Sequence, residues 1–354
     1  MKKHNFSAGP CILPEEVLKE ASKAVINFND DNLSLIEISH RSKPFVDVMN
    51  NAKDLVRELL NVPQDYSILF LQGGASLEFL MVPFNLMKIN GNASYLNTGV
   101  WSRKAIQEAK DFGKVSIIGD SSDKNFNYIP KNYEIPNNID YFHCTSNNTI
   151  YGTQIKNFPI CKTHLVCDMS SDIFSRKIDV RKFGLIYAGA QKNMGPAGTT
   201  LVIVKNEILG KTNRKIPTML NYQTHINGKS MFNTPPVFPI YVSMLTLKWI
   251  KEQGGVSVIE KRNIKKAKLL YSEIDRNSLF TGTALSEDRS LMNICFLLND
   301  ESKKDTFDKM CEDAGINGIK GHRSVGGYRA SVYNAMPIES IKVLVNLMRT
   351  LEKN

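Results

Sequence analysis

The sequence predicts an α/β fold: a mostly parallel sheet covered by helices on both sides, followed by a smaller α+β unit. Three observations carry this. Strand-like and helix-like runs alternate at short intervals between about residues 65 and 205, the pattern of parallel strands joined by crossover helices. After Pro235-Pro236 long helical runs replace that alternation. The 354 residues, 42% of them hydrophobic, suffice for two domains with sizeable cores.

The elements follow in order. Ser67–Leu71 is a short apolar strand closed by Gly73-Gly74, and a helical pattern runs from Leu77 to about Met87. Ala93–Leu96 is the next strand, followed by a helix from Trp101 to about Phe112. Lys114–Ile118, Tyr141–Cys144, His164–Cys167, Leu185–Ala188 and Thr200–Val204 are further strands, rich in Val, Ile, Leu and aromatics. Helices cover roughly Phe238–Lys251 and, after Gly254-Gly255, Val256 to Ile274. The C-terminal unit then reads as strand Leu291–Leu298, helix Lys303–Ala314, strand Tyr328–Tyr333 and a closing helix from Pro337 to about Leu351.

Composition narrows the function. Lys and Arg outnumber Asp and Glu by 45 to 35, a net charge of +10. The clearest basic group, Lys261, Arg262, Lys265, Lys266 and Lys268, has the spacing of one exposed helix face. No clustered Lys/Arg with interleaved aromatics or known nucleic-acid motif is visible, so no nucleic-acid partner is expected. No run approaches the roughly 18 apolar residues of a membrane span, and the N-terminus lacks an apolar signal core. The six cysteines, Cys11, Cys144, Cys161, Cys167, Cys295 and Cys311, contain no C-x-x-C pair. Most lie beside apolar residues, so a reducing, cytoplasmic compartment without a metal site is expected. No G-x-G and no G-x-x-x-x-G-K-[ST] occurs, which removes the usual nucleotide fingerprints.

Three places can carry chemistry. Gly73-Gly74-Ala75-Ser76, between strand and helix, offers close backbone approach and free N–H groups to a phosphate. Read alone it is an ordinary glycine turn with Ser76 as N-cap. Asp168 follows a strand whose C-terminal end lies where open α/β sheets bind ligands, and it serves equally as a turn aspartate. Lys192 stands among small residues, Ala188-Gly189-Ala190-Gln191-Lys192-Asn193-Met194-Gly195. A lysine there becomes a Schiff-base nucleophile if its pKa is lowered, although most lysines in glycine loops are surface residues. Together, a phosphate cup, a strand-end Asp and a strand-end Lys are the set a pyridoxal phosphate site requires.

The segments Asn5–Pro10, Ser39-His40-Arg41-Ser42, Gly73-Gly74-Ala75-Ser76, Tyr187–Asn193, Ser230–Pro236 and Gly321–Ser331 resemble the phosphoserine aminotransferase family, in the family's order and across the whole chain. The resemblance implies a fold type I pyridoxal-phosphate transferase. Its large domain would span 15–253, and its small domain 1–14 with 254–354. Lys192 would carry the cofactor on its amine and move the proton between substrate Cα and cofactor C4′. Asp168 would pair with the pyridine nitrogen, Trp101 would stack on the ring and Thr149 would contact its oxygen. Ala75, Ser76 and Gln191 would hold the phosphate, with Asn233 and Thr234 from the neighbouring subunit of a homodimer.

The implied substrates are glutamate and 3-phosphooxypyruvate, and the family often accepts 3-hydroxy-2-oxo-4-phosphooxybutanoate in pyridoxine synthesis. Arg329 would fork onto the α-carboxylate, and His40, Arg41, His322 and Arg323 would meet the distal anion. Where some members carry an Arg after the glycine cup, this chain has Ser76-Leu77, one basic contact fewer. Two rivals remain: a lyase of the same fold such as a cysteine desulfurase, which needs a reactive cysteine on a mobile loop, and a basic nucleic-acid-binding module.

Overall fold

In the computed structural model, which describes residues 3–353, seven strands form the central sheet. Across it they run Tyr66–Leu71, Thr200–Lys205, Leu185–Gly189, Leu165–Asp168, Tyr141–Thr145, Asn92–Asn97 and Lys114–Asp120. All pairings among the last five are parallel, while Thr200–Lys205 lies antiparallel to both its neighbours. Strands such as Tyr141–Thr145 and Leu185–Gly189 are buried along their whole length. A sheet with helices on both faces demands this, and it explains runs that are apolar throughout instead of alternating. One face packs Phe142, Leu165, Ile186 and Leu201 against helices Lys43–Leu60 and Val237–Glu252. The other packs Tyr95, Tyr187 and Val202 against Gly74–Leu86 and Val100–Ala109.

A second core surrounds the antiparallel sheet Phe280–Gly282, Asn293–Leu298 and Tyr328–Ser331, covered by helices Val256–Arg276, Lys304–Asp313 and Ile338–Lys353. Phe6 is fully buried in it, because His4–Asn5 pairs in parallel with Ile316–Asn317. The N-terminal segment therefore packs with the C-terminal unit. Met1, Lys2 and Asn354, which fall in the small domain expected from sequence, lie outside the described residues. Among those described, no helix is long and apolar enough to cross a membrane.

Several expectations change. Helices Glu15–Ile26 and Lys43–Leu60 have no counterpart in the sequence reading. The second buries Phe45, Val48, Met49, Ala52 and Val56, a helical spacing. The strand expected at His164–Cys167 runs one residue later, so Asp168 is its last member, paired with Tyr187. Lys266 does not share the exposed basic face: it is 2% exposed, and its amine donates to Val332 O at 2.9 Å and Tyr333 O at 2.6 Å. The long aliphatic stem lets it turn inward to carbonyls from a remote segment, which helical spacing does not register.

Candidate active site

A cavity of about 830 Å³ opens at the C-terminal edge of the parallel strands, the position where open α/β sheets receive ligands. Gly73, Gly74, Ala75 and Ser76 form one wall. Gly73 (φ +87°) and Gly74 (φ +65°) turn the chain from strand into the helix Gly74–Leu86. That conformation suits glycine, and it aims the free N–H groups of the first helical turn at the cavity. Gly73 is the N-cap; the alternative that made Ser76 the cap fails, since Ser76 lies in the first turn and makes no capping bond.

Opposite stands Lys192, just beyond strand Leu185–Gly189. Its Nζ donates to Thr149 Oγ1 and to Ser171 Oγ, both at 2.8 Å, and those two hydroxyls are 2.7 Å apart. Burial pushes the amine's pKa down to about 8; Asp168 opposes that shift and Arg329 adds to it. The lysine is thus poised to lose its proton near neutral pH. Asp168 Oδ1 accepts from Ser170 N–H at 2.9 Å. Burial raises the pKa of its carboxyl, and the Ser170 hydrogen bonds together with Lys192 hold the rise in check. The Trp101 ring centroid is 5.9 Å from Lys192 Nζ, and its buried Nε1 has no partner.

The remaining wall comes from the C-terminal unit. Arg329, on strand Tyr328–Ser331, lines the cavity with a buried Nε that has no partner. His322 and Arg323 line it from the preceding loop. Burial, then Arg329 and Arg323, lower the His322 pKa, and its Nδ1 lies 2.8 Å from Ser324 Oγ. Gln191 and Thr149 complete the predicted group in the cavity.

Four predicted residues are elsewhere. His40 and Arg41 stand on the turn before helix Lys43–Leu60; His40 Nε2 is buried without a partner, and Arg41 is exposed. Asn233 and Thr234 are exposed on the irregular segment before helix Val237–Glu252, where Thr234 O accepts from Gln72 Nε2 at 2.9 Å. None of the four lines the cavity of the single chain.

Sequence reasoning passed over Ser170, Ser171, Asn147 and the N-terminal Ala8-Gly9, all of which line the cavity. The signal for the serines was present in Asp168-Met169-Ser170-Ser171-Asp172: two hydroxyls directly after the strand-end aspartate. Among the described residues, no cysteine lines the cavity. Cys11 donates to Lys192 O from behind the turn, and burial pushes its thiol up to about 12, as it does for Cys295 and Cys311. Such thiols stay protonated, which a desulfurase nucleophile cannot do.

The geometry fits pyridoxal phosphate part by part: a helix start of free N–H groups for the phosphate, an unsatisfied indole for the ring region, a buried carboxyl and a lysine of lowered pKa. The model of the class-V aminotransferase family matches residues 3–344. A phosphoserine aminotransferase from Flavobacterium psychrophilum is 65% identical over 353 residues, covering 99% of each chain. A solved phosphoserine aminotransferase, studied for radiation damage to its Schiff base, superposes with a TM-score of 0.97 at 47% identity over 100% of both chains. The pyridoxal-phosphate-bound enzyme from Trichomonas vaginalis gives 0.93 at 36% identity, over 98% of this chain and 100% of that one. On the span of these matches, the chain belongs to the class-V aminotransferase family.

Proposed function

We propose that this chain transfers the amino group of L-glutamate to 3-phosphooxypyruvate, giving 2-oxoglutarate and O-phospho-L-serine, the activity of a phosphoserine aminotransferase. One observation carries the reading: a single cavity gathers Lys192, Asp168, the glycine turn and Arg329. When bound there, pyridoxal phosphate supplies the electron sink that lets an amino acid lose its α-proton.

The chain's own residues do the rest. Lys192, neutral above about pH 8, would take the proton from the substrate Cα and deliver it to the cofactor C4′. Asp168 would keep a proton on the ring nitrogen by charge pairing, and its burial would strengthen that pairing. Ala75, Ser76 and Gln191 would hold the phosphate, Thr149 would meet the ring oxygen and Trp101 would cover the ring. Arg329 binds the α-carboxylate as a bidentate fork. His322 and Arg323 face the distal anion, a carboxylate in glutamate and a phosphate in the acceptor.

His40, Arg41, Asn233 and Thr234 act across a homodimer interface. Apolar exposure beside them supports this: Ile36 is 62% exposed and Phe232 is 49% exposed, surface that a partner subunit would cover. Mixing inactive Lys192→Ala with an inactive Thr234→Ala variant should restore activity, because one hybrid site then keeps both residues. No regain would place Thr234 outside the site. Residues 15–253 and 1–14 with 254–354 form two domains with the cavity between them, in a protein that works in the cytoplasm.

The test is a spectral titration of the loaded protein with glutamate and, separately, phosphoserine. Both should bleach the visible band of the lysine-bound cofactor, releasing 2-oxoglutarate and 3-phosphooxypyruvate. A response confined to cysteine, with alanine formed, would replace this reading by a desulfurase.

A further inference from the structure

We infer that Ser171 holds the Lys192 amine in line for proton transfer whenever that amine is not bonded to the cofactor, an assignment that rests on the aminotransferase reading. In the transfer the amine takes a proton from the substrate Cα and becomes an ammonium, while the C–H electron pair stays with the substrate. It then gives that proton to the cofactor C4′ and is neutral again. An ammonium has three N–H bonds. Two are accepted at 2.8 Å by Thr149 Oγ1 and Ser171 Oγ, which leaves one for the reacting carbon. Thr149 is also assigned to the ring oxygen, so Ser171 is the acceptor with no competing duty toward the cofactor.

Ser171 is fixed well enough to aim the amine. It is 3% exposed. Its carbonyl accepts from Asn193 Nδ2 at 2.8 Å, and Asn193 Oδ1 accepts from Asn334 N–H at 3.0 Å. On the other side Ser170 is tied through its N–H to Asp168 and through its Oγ to Gly189 N–H at 3.1 Å. The turn after strand Leu165–Asp168 thus gives each residue one job: Asp168 for the ring, Ser170 for the turn, Ser171 for the lysine.

The test begins on cofactor-free protein, where turnover plays no part. The neutral amine captures pyridoxal phosphate, so the capture rate rises with pH through the pKa of Lys192. The charged and titratable groups facing it are Asp168, Asp172, Arg329 and Cys11, with Tyr333 hydrogen-bonded to Ser171 itself, and all are kept in the variant. Ser171→Ala removes an acceptor that favours the ammonium, so the midpoint of that profile should fall by about one pH unit.

In the loaded enzyme kcat should drop on the order of tenfold with KM for glutamate within about twofold, as for a lost transition-state contact. The rate difference between α-protonated and α-deuterated glutamate should grow. Ser171→Thr, which keeps the hydroxyl, should stay near wild type. Ser171→Cys, with a weaker acceptor of similar size, should behave as Ser171→Ala does and replaces it if the alanine variant does not fold. An unmoved capture midpoint with an unchanged isotope effect overturns the assignment, even if stability falls. A protein that ignores glutamate but shows the shifted midpoint overturns the proposed substrate and leaves Ser171 in place.

Discussion

Asn193 and Asn334 join the two packed units within one residue of the reactive lysine. The Asn334 N–H donates to Asn193 Oδ1 at 3.0 Å, and the Asn193 amide donates onward to Ser171 O at 2.8 Å. Asn334 is in turn held by Asn263 at 2.8 Å and by Phe174 O at 3.1 Å. All of these side chains are buried, where an unmet hydrogen bond costs more than in water.

Asn193→Ala should therefore both loosen the fold and misplace the base. It strands a buried carbonyl and a buried N–H, a loss of about 1–3 kcal/mol. Urea unfolding of the loaded protein checks the stability, and kcat for glutamate should fall more than KM rises. A variant with wild-type kcat would mean that the lysine turn is held by other contacts.

How much of this could be read from the sequence depends on the range of the interaction. Lys192, Asp168 and the glycine turn sit at the ends of strands whose apolar runs announce them, so local pattern sufficed. Ser171 acquires its meaning only when Thr149 and Lys192 arrive from other segments. Lys266 lies in a helical basic run, and its acceptors are carbonyls 66 and 67 residues away. His40 and Asn233 belong to motifs that family resemblance marks, yet the single chain leaves them outside its cavity. Those motifs are legible as residues and illegible as geometry.

Gly73→Ala should weaken cofactor binding more than it weakens the fold. At φ +87° an alanine is strained by about 1–2 kcal/mol. Its Cβ would also stand 2.5 Å from Leu77 Cβ, so the first turn of helix Gly74–Leu86 must shift. The N–H groups aimed at the phosphate move with it. Equilibrium titration of the cofactor-free variant with pyridoxal phosphate should give a raised Kd, and an unchanged Kd would remove the phosphate from this turn.

Arg329→Ala should weaken both amino-acid substrates alike. The α-carboxylate is common to glutamate and phosphoserine, and charge-assisted hydrogen bonds lost there are worth up to about 3 kcal/mol, on the order of 100-fold in kcat/KM. Steady-state rates with each substrate decide it. A defect confined to phosphoserine would move Arg329 to the distal anion.

Lys266 sets one pH dependence. It is buried with carbonyl acceptors, and burial pushes its pKa down to about 7, with Cys11 opposing that shift and Arg262 adding to it. Unfolded, it titrates near its ordinary 10.5, so between those values the unfolded chain binds more protons. Wild-type stability relative to Lys266→Met should therefore rise from pH 7 to 10.5, by at most ~1.4 kcal/mol per pH unit, and be flat below 7. Paired denaturation curves at pH 7 and 10 measure it, and a constant difference would show that Lys266 titrates normally.

Glu78 should show the opposite slope. It lies in the helix that begins at the glycine turn, fully buried, with one oxygen accepting from Tyr222 Oη at 2.5 Å and the other without a partner. Burial pushes its carboxyl up to about 8, against the pull of the Tyr222 hydroxyl. The folded state then binds more protons than the unfolded chain between about 4.5 and 8. Its contribution is complete below that window and lost as pH climbs through it. Glu78→Gln keeps the shape and removes the titration, so wild-type stability minus that of the variant should decline from pH 5 to 8. The decline also loosens the helix whose first turn faces the phosphate, so cofactor affinity should fall with rising pH more steeply in wild type than in Glu78→Gln. Parallel slopes for the two proteins would mean that Glu78 is ionised throughout and paired by something other than Tyr222.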